Sequence, residues 1–184
     1  MPTFGHIKRD YPILEVIRGW NPNEPFTRTA AYPVTDGVTI LSGQLITPVW
    51  NATNSRLEWT IADKDTSGIN TAALYLAQDD HLKEDIIEAG NLVGLSCAGQ
   101  FEVESAFFTA NSVYNEGTFL TVGDDGKVDA LSSVDGTKVI VGQVTRAPGN
   151  GTAGATLKSL VGTNSNVVNT NVITFNTMYI PAND

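Results

Sequence analysis

From Ala31 to Ile180 the chain is cut into short apolar runs, and nearly every run ends at residues suited to a tight reversal. The runs fall at 38–40, 44–50, 56–61, 72–77, 92–97, 100–108, 118–122, 127–130, 138–145, 155–160 and 172–180. Between them Asp36-Gly37, Asn51 to Asn54, Asp63 to Gly68, Ala98-Gly99, Asp125-Gly126 and Asp135-Gly136 supply the small or left-handed residues that turns need. Such frequent punctuation leaves no room for the long helices of a bundle. It predicts an all-β fold: a single β-barrel or β-sandwich domain of about ten short strands.

Within the runs, Leu57, Trp59 and Ile61 alternate with Glu58 and Thr60, and Phe101, Val103 and Ser105 alternate with Glu102 and Glu104. That period of two predicts strands with one buried face and with the acids toward solvent. One short helix is predicted after Asp79 and Asp80, which can cap it, with Leu82, Ile86 and Ile87 on a stripe and Gly90 at its end. A small pattern also occurs twice, Gly43-Gln-Leu-Ile-Thr47 and Gly117-Thr-Phe-Leu-Thr121, each a turn glycine before an apolar pair and a threonine.

The first 34 residues differ from the rest. Pro2, Pro12, Pro22, Pro25 and Pro33 break any helix there, while Phe4, Tyr11, Trp20, Phe26 and Tyr32 still require burial. The expected organisation is an extended N-terminal arm over 1–34 and a β domain over 35–184 with a polar Asn/Thr-rich loop near 161–171. Ile13 to Ile17 can add one strand. The arm's aromatics Tyr11, Trp20, Phe26 and Tyr32 are the expected contacts to a neighbouring subunit.

Charge narrows the partners. Eleven Lys and Arg against twenty Asp and Glu leave a net charge of -9, and the longest basic run is Lys8-Arg9. Nucleic acid is thereby disfavoured, because binding it requires clustered cations that displace counterions from phosphates. Anionic membranes are disfavoured for the same reason, and no apolar stretch reaches the roughly 20 residues that span a bilayer. The chain is expected to be soluble and made in a cytoplasm.

Few residues propose chemistry. Asp124-Asp-Gly-Lys-Val-Asp129 spaces carboxylates around a turn glycine, as calcium loops do, but lacks the full spacing of an EF-hand; a type I′ hairpin turn at Asp125-Gly126 explains the same residues. His81, among Asp79, Asp80, Glu84 and Asp85, can join a metal or acid/base site, or simply follow a helix cap. His6 has no partner in sequence. Glu58, Glu102 and Glu104 can converge as a carboxylate pair for glycoside hydrolysis, or merely face water. Trp20, Trp50 and Trp59 can stack on sugars, although the phase of Trp59 assigns it to the core. Cys97, the single cysteine, sits in the apolar run of Leu92 to Ala98 and is expected to be a buried small hydrophobe. No nucleophile elbow, phosphate loop, dinucleotide fingerprint or zinc ligand cluster is present, so no cofactor is expected.

The order of Ala72 to Ala77, Asn91 to Cys97, Gly99 to Glu104, Tyr114 to Thr121, Asp125 to Val128 and Lys138 to Val144 resembles the capsid decoration, or cement, proteins of tailed bacteriophages. In that family a glycine, an apolar pair, a turn with Asp-Gly and an apolar strand containing Gly before a final Val follow one another. Gly117, Asp125, Gly126 and Gly142 occupy those places here. The resemblance covers about residues 35 to 146. It implies a non-enzymatic virion protein on the outer surface of an expanded head, commonly a homotrimer, with the major capsid protein as partner. The alternative expectation is a phage tail or receptor-binding β domain that recognises glycans.

Overall fold

The computed structural model describes residues 32–78, 93–98, 101–110, 112–148 and 172–183, together with the strand 15–19; of residues 15–19, 78 and 93 it describes the backbone alone. Tyr11, Trp20, Phe26, His6, the predicted helix at 79–90, the run at 155–160 and the loop at 161–171 lie outside the described residues. The described residues form ten strands: β1 Glu15–Gly19, β2 Leu45–Asn51, β3 Arg56–Ile61, β4 Tyr75–Gln78, β5 Val93–Ser96, β6 Phe101–Ser105, β7 Phe119–Val122, β8 Val128–Ala130, β9 Ile140–Arg146 and β10 Ile173–Ile180. Helical structure among them is confined to two three-residue 3-10 turns, Ile69–Thr71 and Asp124–Gly126, so none of it is long enough to cross a membrane.

The strands make two antiparallel sheets, ordered β1-β6-β10-β9-β7-β8 and β3-β2-β4-β5. Each sheet ends in two edges and neither closes on itself, so the fold is the all-β sandwich, one of the two forms expected from the sequence. Three local readings change. Val38 to Ile40 is not a strand, and β4 begins at Tyr75 because Ile69–Thr71 turns first. Asp135-Gly136 reverses the chain without making a hairpin, since β7 lies between β8 and β9. There the Asp135 carboxylate accepts from the Thr137 N–H at 2.9 Å and hydroxyl at 2.7 Å, a local turn that needs no partner strand.

The main core lies between the sheets. Leu45, Leu76 and Leu95 come to it from the smaller sheet, and Val103, Leu120, Val141, Ile173 and Phe175 from the larger. On the six-stranded side the alternation of β6 has its expected outcome: Phe101, Val103 and Ser105 are buried while Glu102 and Glu104 are half-buried.

The smaller sheet has a second covered face. Val34, Ile40, Ile46, Trp59 and Ala77 form a separate cluster there, with Tyr32, Val38, Ile61 and Tyr75 packed against it. The segment from Tyr32 to Ile40 begins along the free edge of β3, where the Trp59 N–H donates to Pro33 O at 2.8 Å and the Thr35 N–H donates to Trp59 O at 2.9 Å, and its side chains fold over the outer face. Tyr32, Trp59 and Tyr75 meet in sequence as tilted and edge-to-face pairs, with ring centroids 5.0 and 5.3 Å apart. Covering the outer face explains why Val38 to Ile40 serves as a lid of side chains and not as a strand. Glu58, expected toward solvent, lies on the face opposite Trp59 and is 1% exposed beneath Asn51, Asn54 and Arg56.

Within the predicted arm, β1 pairs along β6, Glu15 opposite Glu104 and Gly19 opposite Phe101, so this part of the arm adds an edge strand to its own sheet. The short repeated pattern has a common structure as well. Gly43 and Gly117 hold left-handed φ of 96° and 87°, two residues before β2 and β7 respectively. Each closes a four-residue turn and then forms a bulge: Gly43 N–H donates to Ala77 O and Ala77 N–H to Gln44 O, as Gly117 N–H donates to Val144 O and Val144 N–H to Thr118 O.

Candidate functional site

The carboxylates at 124–129 do not converge on one ion. Asp125 has φ 53°, ψ 40° and Gly126 φ 72°, while the Lys127 N–H donates to Asp124 O at 3.0 Å, which is the type I′ turn read from Asp-Gly. Asp129 faces elsewhere and accepts from the Ser112 hydroxyl at 2.8 Å.

The turn is instead a weld between the sheets. Gly126 N–H donates to Ala62 O at 2.9 Å, and the Gln44 side-chain amide donates to Asp125 O at 2.9 Å. A Cβ on Gly126 would lie 2.9 Å from Leu45 O, so only glycine allows the turn to come this close. Beside it Asp63, Asp65 and Asp124 each bring a carboxylate oxygen within 4.8 Å of the others. That cluster already contains a cation of the chain's own, because the Lys64 ammonium bonds Asp124 at 2.7 Å and Asp65 at 3.1 Å. The two carboxylates raise the Lys64 pKa, Asp124 contributing most. Asp63 is held below its ordinary value by the backbone N–H groups of Asp65 and Asp125, which occupy both of its oxygens at 2.9 and 3.1 Å. The bond from Asp125 to Asp63 fixes backbone across 62 positions of sequence.

Glu58 accepts from three side-chain donors. Asn51 Nδ2 donates to it at 2.8 Å, Asn54 Nδ2 at 2.9 Å and Arg56 Nε at 2.9 Å. These hydrogen bonds, Asn51 first, lower its pKa against the opposing effect of burial. A general acid for glycoside hydrolysis needs the opposite shift. Glu104 is bound by Arg146 and also accepts from the Thr174 hydroxyl, and Glu102 accepts from the Thr145 hydroxyl at 2.9 Å. Both lie on β6 in the larger sheet, whereas Glu58 lies on β3 in the smaller.

Cys97 is fully buried in the main core, and burial pushes its thiol up to about 12. Trp59 is core, as its phase indicates. Trp50 is 64% exposed near the end of the β2–β3 hairpin. Of the four arm aromatics, Tyr32 is described, and it packs on Trp59. Val134 and Ile180 are exposed over a shallow groove of about 320 Å³ near the β8–β9 connection. Sequence reading missed Lys64 and the Glu58 clamp. Asn51-x-x-Asn54-x-Arg56-x-Glu58 carries a local signal for the clamp, whereas no local signal joins Lys64 to Asp124. Comparison with family models, curated proteins and solved structures found no match for the chain.

Proposed function

We propose that the chain is a structural protein of a bacteriophage virion, one that binds the outer surface of an expanded head and stabilises it by bridging capsomers. The observation that carries this reading is how the side chains are divided. Lys64 and Asp63 are tied into the contact between the sheets, Glu104 into the larger sheet and Glu58 into the β2–β3 hairpin. Among the described residues, five large apolar side chains remain on the surface: Leu41, Trp50, Val113, Val134 and Ile180. A rigid body with scattered apolar contacts suits a cementing role, which works through buried area and repetition. The resemblance of Gly117, Asp125, Gly126 and Gly142 to the decoration-protein pattern supports the same reading, with the major capsid protein as partner and a homotrimer as the assembled form.

The exposure of Trp50 favours a second reading, a tail or receptor-binding domain that stacks on glycans. One experiment separates them. The purified chain is co-sedimented with DNA-free expanded heads of the phage that carries its gene, and in parallel applied to a glycan array. Saturable binding to heads supports decoration; absence of head binding with glycan binding abolished by Trp50→Ala supports the second.

A further inference from the structure

Asp36-Gly37, Asp125-Gly126 and Asp135-Gly136 each sit at a turn, with the glycine at a left-handed φ of 79°, 72° and 82° respectively. In an Asp-Gly pair the glycine nitrogen, which no neighbouring Cβ shields, can attack the aspartate side-chain carbon. The N–Cγ bond forms, and the carboxyl OH leaves as water with the amide proton. Water then opens the five-membered imide at either carbonyl. Opening at the α-carbonyl leaves isoaspartate, whose backbone runs through Cβ and is longer by one carbon. The mass is unchanged and a carboxylate is retained.

The fold treats the three pairs differently. Gly126 N–H is committed to Ala62 O at 2.9 Å, while the Asp125 N–H donates to Asp63 and Asp125 O accepts from the Gln44 amide, so the ring can close there only by breaking the weld between the sheets. The Asp135 carboxylate accepts from the Thr137 N–H and hydroxyl, two bonds that favour its charged, less electrophilic form, and Gly136 O accepts from the Asn183 N–H at 2.8 Å. Asp36-Gly37 has neither restraint. Both residues are exposed, the space beside Gly37 is open, and among the described residues no hydrogen bond reaches the Asp36 carboxylate or the Gly37 N–H. The turn is closed by the Val38 N–H donating to Thr35 O at 3.0 Å, and the buried Thr35 hydroxyl finds no partner among the described residues.

We infer that Asp36 is a modification site, converted to isoaspartate in the native fold while Asp125 and Asp135 are protected, and that the conversion loosens the segment covering Trp59. The inference does not depend on the decoration reading. On one side of the turn the Thr35 N–H holds Trp59 O, and on the other Val38 and Ile40 pack over the Trp59 face. An extra backbone carbon between Thr35 and Gly37 displaces one anchor against the other, and close-packed side chains absorb such a displacement poorly.

The test ages the full chain in warm neutral buffer, native and in urea, and maps isoaspartyl peptides by their retention shift at unchanged mass. Asn150-Gly151, which can form the same imide, is scored as its own peptide. In the native chain isoaspartate should be at least roughly tenfold more abundant at 36 than at 125 or 135, the factor that one or two hydrogen bonds broken at the protected turns would impose. In urea the three sites should react alike. Equal amounts at the three sites of the native chain, or none at 36, would overturn the assignment. The separated isoaspartate-36 form should melt below the fresh protein by roughly 2–4 °C, and aged Asp36→Ser should melt as it does when fresh. Coincident melts of the isoaspartate-36 form and the fresh protein overturn the loosening, as does an equal loss on ageing in Asp36→Ser.

Discussion

Gly142 offers the sharpest test of the packing. It lies in β9 with Thr177 of β10 opposite, and an added Cβ would stand 2.6 Å from Phe175 Cδ2 and 2.8 Å from Asn176 O. Neither neighbour can retreat easily: Phe175 is 0% exposed in the main core, and the carbonyl belongs to a paired strand. Overpacking of a tight core costs about 1–3 kcal/mol. Alanine recovers about 0.5–1 kcal/mol from reduced freedom of the unfolded chain. Contacts of 2.6 and 2.8 Å place the overpacking cost in the upper part of that range, about 2–3 kcal/mol, so Gly142→Ala should lose about 1–2.5 kcal/mol net, which for a chain of this length lowers Tm by roughly 2–10 °C. Urea and thermal unfolding followed by circular dichroism measure it. Phe175→Leu supplies the partner arm: trimming the ring should cost less in the Gly142→Ala background than in the wild type, with a coupling of about 0.5 kcal/mol or more. A Gly142→Ala chain as stable as the wild type, or strictly additive costs in the double variant, would refute the close approach.

The remaining expectations concern the titratable groups. Glu58 is depressed below its ordinary 4.5, so its contribution to stability is present above the unfolded value and is lost as pH falls through the folded one. The Tm advantage of wild type over Glu58→Gln should accordingly be full at pH 7 and shrink below pH of about 4.5; a gap that does not change with pH contradicts it. With its thiol buried and pushed up to about 12, Cys97 should react with a thiol reagent only as fast as the native state opens; complete labelling within seconds at pH 8 in native buffer would show otherwise. Because Lys64 already bridges Asp65 and Asp124, millimolar calcium or a chelator should leave Tm unchanged. A calcium-dependent rise of several degrees would mean that the ion displaces the lysine.

The strands are legible where alternation and turn chemistry agree. β3 occupies the residues its pattern marks, and Asp125-Gly126 adopts the backbone that its two residues favour. Departures arise where a local signal carries less than the whole arrangement. Alternation along Leu57 to Ile61 distinguishes two faces but not that both are covered, so it assigns Glu58 to water although Tyr32 to Ile40 covers the other side. Asp135-Gly136 specifies a reversal, yet which strand comes to lie beside β9 depends on β7 and β10. Val38 to Ile40 is apolar enough for a strand but is used to cover Trp59. Lys64 and Asp124 meet only because the β7–β8 turn docks on the end of the smaller sheet, a contact that depends on the whole topology.

Two open sheets packed face to face can slide unless something fixes their offset, and among the described residues several polar groups bond across from one sheet to the other. The Ser105 hydroxyl donates to Gly43 O at 2.9 Å, the Phe101 N–H donates to the Thr177 hydroxyl at 2.9 Å, and the Asp125-Gly126 turn is bonded to Gln44, Ala62 and Asp63. Two of these join the larger sheet to the start of β2 or the end of β3, and the bulge at Gly43 is what brings that backbone within reach. Directional hydrogen bonds of this kind specify one alignment out of several that apolar contacts alone would tolerate. The same alignment determines where the β2–β3 hairpin stands against the rest of the sandwich. The bonds that fix the core and the clamp that fixes the hairpin thus act in series, and both act on the position of Trp50.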